Sequence, residues 1–231
     1  SRIEQSDLLL LLARTSPRDP ADRTRGLSLF LVDLREARRA GTIEPRPVRT
    51  MLNYATYQVT YRNLRLPADA LIGDEGQGFR AIIDGWNAER ILLAAEAIGD
   101  GYWFVERASE YARKRVVFGR PIGANQGVQF PLARAYAAVS AADLMRYQAA
   151  RLYDAGQPCG AEANMAKLLA SEASWQAANI CLDVHGGYGF VADYDVERKF
   201  RETRLFQVAP VSNNLVLSYV ATRVLGLPRS Y

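Results

Sequence analysis

The chain has 231 residues, 49% of them hydrophobic, which is enough for one large core or two smaller ones. Its net charge of +4 is mild and no Lys/Arg block is present, which argues against nucleic acid as a partner and is compatible with anionic small ligands. The two cysteines, Cys159 and Cys181, cannot make a disulfide framework, and the single histidine, His185, excludes a multi-histidine metal site within this chain.

Both cysteines fall in Ala-rich helical sequence, where a free thiol behaves as a small apolar residue. That fits a reducing, cytoplasmic setting. The apolar run at 8–12 is too short to span a bilayer and lacks signal-peptide flanks. The chain starts at Ser1 without methionine and enters a strand-like run almost at once, so it reads as the C-terminal part of a longer polypeptide.

Residues 1–74 read as β. A short apolar run covers 7–14, and 15–25 is a polar loop with two prolines. Gly26-Leu-Ser-Leu-Phe-Leu-Val-Asp33 is a strand bounded by turn residues. Residues 43–48 contain Pro45 and Pro47 and can form only an edge strand. From 57 to 66 the chain alternates Tyr57, Val59 and Tyr61 with polar residues, which predicts a strand with one buried face. These short strands predict an antiparallel sheet or partial barrel.

Residues 75–231 read as helical. After a junction in which Asp74 is placed to cap, a helix is expected over 78–113, interrupted only by Gly85, Gly99 and Gly101. A Gly/Pro loop covers 117–126. Further helices are expected over 126–154, 161–184, 194–203 and 212–225, the last capped by Ser212. The fold class is therefore α+β, a partial antiparallel β domain followed by a four-helix up-and-down bundle.

Three stretches carry candidate chemistry. In Gly85-Trp-Asn-Ala-Glu-Arg-Ile-Leu-Leu-Ala-Ala-Glu96, helical spacing puts Ile82, Gly85, Trp86, Glu89, Leu92, Leu93 and Glu96 along one stripe. A helical side chain covers the turn before its own Cα, so Glu89 is expected over the gap at Gly85, in apolar surroundings that strengthen a base. The alternative is a carboxylate paired to a neighbouring helix through an arginine. Arg113-Lys-Arg-Val-Val-Phe-Gly-Arg-Pro-Ile-Gly123 sets four cations beside glycines, which suits a pyrophosphate; the alternative is cations favouring a helix C-terminus. His185-Gly-Gly-Tyr-Gly189 ends a helix with more glycines than a C-cap needs, as close approach of a ligand requires. The histidine itself reads as a hydrogen-bonded structural residue. Trp86, Trp103 and Trp175 read as core rather than as a stacking platform.

The order of these motifs resembles the acyl-CoA dehydrogenase family over essentially the whole chain. The set is Gly26 to Asp33, then Gly73-Asp-Glu-Gly-Gln-Gly-Phe79, Glu89-Arg90, Arg115 with Phe118-Gly119, Gln126, Gly186-Gly-Tyr-Gly189 and Phe200-Arg-Glu-Thr-Arg204. The resemblance implies a homotetramer that binds FAD in each subunit, removes the α-proton of an acyl-CoA thioester while a β-hydride passes to the flavin, and hands electrons to an electron-transfer flavoprotein. It also implies that the chain begins inside the family's central β domain, with Ser1 at the end of a Trp-Ile-Ser/Thr flavin motif.

By the same resemblance, Arg115, Phe118 and Gln126 meet FAD from a neighbouring subunit. Gly186 and Gly187 lie near the cofactor, and Asp183 stands where the family often has glutamine. Ser212 and Asn214 replace a Thr-x-Gln that contacts the adenosine diphosphate portion, and Val117 replaces a threonine. Many members carry the base in a Tyr-Glu-Gly-Thr segment, which here is Ala209-Pro-Val-Ser212, so Pro210 stands where the glutamate would be. A minority place it in the long helix before an arginine, the position of Glu89, with Arg90 as a supporting charge. Glu96 is then a bundle-facing structural acid. An oxidase or lyase on the same fold, and a non-catalytic assembly module, are the competing readings.

Overall fold

The computed structural model describes residues 2–52 and 55–230, with Asp84 described by its backbone only. The chain divides into two compact units, Ser1–Trp86 and Asn87–Tyr231.

The first unit contains two small antiparallel sheets. Strand β1 (Leu8–Arg14) pairs with β2 (Leu27–Asp33) in a register that sets Leu11 opposite Phe30. β3 (Ile43–Val48) pairs with β4 (Thr56–Tyr61), Pro45 facing Val59 and Pro47 facing Tyr57. In a two-stranded sheet each strand is an edge, which is where a proline lacking its N–H is tolerated. The short β5 (Leu71–Ile72) adds to β2, giving the order β1-β2-β5.

Helix α1 (Leu34–Arg39) is absent from the sequence reading, which ended the preceding strand at Asp33 and left the next residues unassigned. Asp33 does both jobs. Its Oδ1 accepts from the backbone N–H groups of Arg35 at 2.8 Å and Glu36 at 3.2 Å, a side-chain N-cap directly after a strand. Ile3, Val32, Leu34, Ala37 and Ile43 form the buried core, with Tyr57 and Val59 packed against it. The period-two alternation of β4 holds for Tyr57 and Val59 against the exposed Gln58 and Thr60 and lapses at Tyr61, which is exposed at the strand end.

Helix α2 (Gly78–Lys114) starts one residue after Gln77, whose carbonyl accepts from Arg80 and Ala81. Gln77, rather than Asp74, holds the capping position; Asp74 contributes a backbone carbonyl to the turn before it. A two-residue hairpin follows, β6 (Val116–Val117) against β7 (Arg120–Pro121). Its turn residues Phe118 and Gly119 have φ of 52° and 77°, the pair of positive values a type I′ turn demands.

Helices α3 (Gln126–Asp154) and α4 (Gly160–His185) run as the sequence predicts. α5 (Val196–Thr203) is charged on its outer face, with Arg201 paired to Glu197 at 2.8 Å and Arg198 to Glu202 at 2.9 Å. The last helix α6 (Asn213–Tyr219) has Ser212 as N-cap and continues as a π-helical turn, Val220–Val224.

The interior of the second unit is built on small residues. α4 buries Ala163, Ala166, Ala170, Ala173 and Ala177, spaced three and four apart on one face. Ile91, Ala94 and Ile98 of α2, Val139 and Ala142 of α3, and Phe206 fill the space that face leaves. Towards the other end, Phe104 of α2 is completely buried, worth roughly 2–3 kcal/mol on its own. Lys199 of α5 forms an ion pair with Asp100 of α2, where burial pushes the carboxyl above its usual range and the lysine pulls it back.

Two glycines of α2 separate packing from helix propensity. A Cβ at Gly101 would stand 2.7 Å from Val139 Cγ2, whereas one at Gly99 would meet nothing within 4 Å. Gly101→Ala is expected to lower stability by about 1–3 kcal/mol through overpacking. Gly99→Ala is expected to raise it by up to about 1 kcal/mol. Denaturant unfolding midpoints of the two variants check the opposite signs.

Candidate active site

Two separate regions of the bundle hold the candidate residues. At the end where α2 and α4 both terminate, Arg115, Asp183, Gly186 and Gly187 line one open cavity of about 500 Å³. Gly186 adopts φ 56°, ψ −132°, a conformation open essentially to glycine alone. A Cβ at Gly186 or Gly187 would point into empty space, so the pair leaves a bare backbone wall facing the cavity. Arg115 is solvent-exposed, its guanidinium 5.8 Å from the Tyr188 ring. Phe118, at the tip of the β6–β7 hairpin, is 100% exposed. Such a side chain gains nothing from this chain's own packing, and it occupies a turn position where glycine or asparagine would be less strained. Gln126, the first residue of α3, is also exposed.

His185 forms part of the same cavity wall but is buried, stacked on Tyr111 with ring centroids 4.3 Å apart. Its Nδ1 lies 2.8 Å from the Cys181 carbonyl oxygen, which can only accept, so Nδ1 carries the proton. Nε2 is left as a buried acceptor with no partner among the described residues. Burial pushes the imidazole below its usual range, opposed by the Cys181 bond. The neighbouring Cys181 thiol is pushed up to about 12 by burial and is inert as a nucleophile.

At the other end lie Glu89 and Arg90, where the structure corrects the sequence reading of the helix faces. The buried stripe of α2 runs through Ile91, Ala94, Ile98, Phe104, Ala108 and Ala112. Glu89 lies two residues before Ile91, about 200° around the helix. Its carboxylate is exposed, as is Glu96, which therefore does not face the bundle; Leu92 between them is 69% exposed. The reason is that apolar residues of this stretch fall on more than one side of the helix, and the buried side is the one that carries Ile91, Ala94 and Ile98. The apolar surroundings expected of Glu89 are not supplied by the bundle core. A Cβ at Gly85 would meet nothing within 4 Å.

Arg90 is half-buried, and its Nη1 donates to Asn87 Oδ1 at 3.2 Å. Burial lowers its guanidinium below the usual range, while Tyr219 and Glu89 act to raise it. Ser212 and Asn214 stand at the start of α6, Ser212 Oγ accepting from the Leu215 N–H at 3.4 Å, and Asn214 is exposed. Ser1 lies outside the described residues. The 25 residue steps of α2 from Glu89 to Lys114 correspond to about 37 Å of helix rise. One chain therefore does not bring Glu89 and Arg115 to a single small-molecule site.

The sequence of residues 76–225 matches the family model described as acyl-CoA dehydrogenase, C-terminal domain. The chain belongs to the acyl-CoA dehydrogenase family. It is 44% identical to acyl-CoA dehydrogenase FadE12 of Mycobacterium tuberculosis over 177 residues, 76% of this chain and 46% of the relative. It is 36% identical to an acyl-CoA dehydrogenase of Bacillus subtilis over 224 residues, 96% of this chain and 57% of the relative. The structure of butyryl-CoA dehydrogenase from Megasphaera elsdenii superposes with a TM-score of 0.88 at 25% identity, covering 96% of this chain and 57% of that one. The chain thus spans about half the length of the curated relatives it matches. In the helical unit, the family fold is the arrangement of α2, α3, α4 and α6 described above.

Reasoning from the sequence missed Lys167 and Tyr219. Lys167 is completely buried in α4, and a lone cation within Met165-Ala-Lys-Leu-Leu-Ala170 was the available signal. Tyr219 comes so close to Gly160 that a Cβ there would stand 2.9 Å from its hydroxyl.

The burial of His185 sets an acid limb of stability. Its folded value lies below the unfolded 6.5, so the unfolded chain binds the extra proton first and stability falls as pH drops below about 6.5. His185→Gln is expected to flatten this limb between pH 6.5 and 5. Equal slopes of unfolding free energy against pH in both proteins would contradict the assignment.

Proposed function

We propose that this chain supplies the catalytic base and two parts of the FAD site of an acyl-CoA dehydrogenase, with Glu89 removing the α-proton of an acyl-CoA thioester. The observation that carries the reading is the pairing of an exposed carboxylate at Glu89 with Pro210 at the family's commoner base position, where no proton can be accepted. Glu89 stands beside the half-buried Arg90 and next to an uncovered apolar side chain, Leu92. A thioester laid on this face would remove water from the carboxylate at the moment it is needed as a base.

The residues of the second region fit one end of FAD. A bare glycine backbone and a guanidinium suit a dinucleotide phosphate, and Asp183 can accept from a ribose hydroxyl or an adenine amino group. Bound FAD supplies the acceptor for the β-hydride. Arg115, Phe118, Gln126, Asp183, Gly186 and Gly187 of one copy hold it, and Ser212 and Asn214, which lie in the Glu89 region of the other, contact its adenosine diphosphate portion. Because the two regions lie so far apart in one chain, each cofactor is held between two copies. The exposed Phe118 is then covered by the second copy. A homotetramer, with an electron-transfer flavoprotein as electron acceptor, follows from the family resemblance.

Glu89→Gln in the full-length protein is expected to slow anaerobic loss of flavin absorbance on adding acyl-CoA by about 10²–10⁴-fold, with FAD still bound. Bleaching by the variant at the unaltered rate contradicts Glu89 as base. Protein purified without bound FAD, and unable to take it up, contradicts the cofactor.

A further inference from the structure

Lys167 is 1% exposed, with the aliphatic stem and ammonium both inside the bundle. Its Nζ donates to the Val211 carbonyl at 2.7 Å and to Asn213 Oδ1 at 2.7 Å. Ser171 Oγ, one turn further along α4, lies 3.1 Å from the same Asn213 oxygen. Both targets belong to the segment that enters α6. A buried cation is a costly anchor for a seven-residue helix, since a well-packed apolar side chain of similar volume does as well or better. The bonds fix the Val211 main chain and the Asn213 side chain; Val211, Ser212 and Asn213 are half-buried and Asn214 is exposed.

We propose that Lys167 is a positioning residue for the cofactor: by tying the Val211 carbonyl and the Asn213 side chain to α4, it fixes the entry to α6 from which Ser212 and Asn214 meet the ligand. This rests on the reading that Ser212 and Asn214 contact FAD. The same ammonium sits among groups that make its charge labile. Burial is the largest influence and lowers it, Arg90 of α2 lowers it further, and Glu172 of its own helix raises it; the result is about 8. Its other neighbours, Asn213, Val211 and Ser171, present neutral groups. At pH 7 both bonds are charge-assisted, and by pH 9 most of the ammonium is neutral and the bonds are weaker. The grip on the α6 entry therefore loosens over a range in which arginine contacts to FAD do not change.

The test measures FAD dissociation constants of the full-length protein between pH 7 and 9, with circular dichroism as the check on folding. In the unaltered protein FAD binding is expected to weaken by about tenfold across that range. Lys167→Met is expected to weaken it by about tenfold or more at pH 7 and to be flat with pH. Asn213→Asp gives the ammonium a charged partner, so binding should stay tight to pH 9. This variant removes no bond, which keeps the test open if Lys167→Met fails to fold. Tight FAD binding by the unaltered protein that is flat with pH, or a folded Lys167→Met with unaltered affinity, overturns the proposal alone. No FAD binding by the unaltered protein overturns the cofactor reading and this proposal together.

Discussion

Alanine and glycine hold α2, α3 and α4 close enough to share one interior. The five alanines of the α4 face present little more than backbone, and Gly101 of α2 leaves the space that Val139 of α3 occupies. Small residues bury little area each, so such an interior depends on contact continued along the length of the helices. That explains helices of 26 to 37 residues where a globular helix usually runs to three or four turns. It also explains why a methyl group added at Gly101 is harmful although alanine is the better helix former.

Length has a functional consequence. Helices of this size carry residues at their two ends too far apart for one small ligand. Glu89, Arg90, Lys167 and the entry to α6 belong to one region; Arg115, His185, Gly186 and Gly187 belong to the other. In the proposed site, each region needs a complement that the other does not supply within the same chain. The Glu89 carboxylate is exposed, and the glycine wall faces an open cavity on the same end as a hairpin whose tip residue, Phe118, is fully exposed.

Much of the fold was legible in the sequence because helix ends are marked by local chemistry. Asn125-Gln126 and Gly156 bracket α3, and His185-Gly-Gly ends α4, all within a residue of expectation. The short α1 was missed because Asp33 ends a strand and caps a helix at once, and the strand signal was the stronger. The orientation of α2 was misjudged for a different reason. Periodicity allows more than one apolar stripe in this stretch, and the buried one, Ile91, Ala94 and Ile98, mixes large residues with alanine, so the choice waits on the partner helix. Arg115, Asp183, Gly186 and Gly187 were each named through the resemblance, and they line one cavity. The contribution of Lys167 was not legible, because its partners lie 44 and 46 residues away, in a segment whose sequence gives no sign of an anchor.

The central claim is that a complete site is shared between two copies of the chain, Glu89 from one and Arg115 from the other. Subunit complementation tests it most directly. Glu89→Gln chains and Arg115→Ala chains, each inactive alone, are dissociated, mixed and reassembled with FAD, and acyl-CoA-dependent flavin reduction is measured. A mixed pair contains one site with both defects and one with neither, so activity should reappear on mixing. A mixture no more active than its separate components would contradict the account, because it is the result expected if each site is built from a single chain.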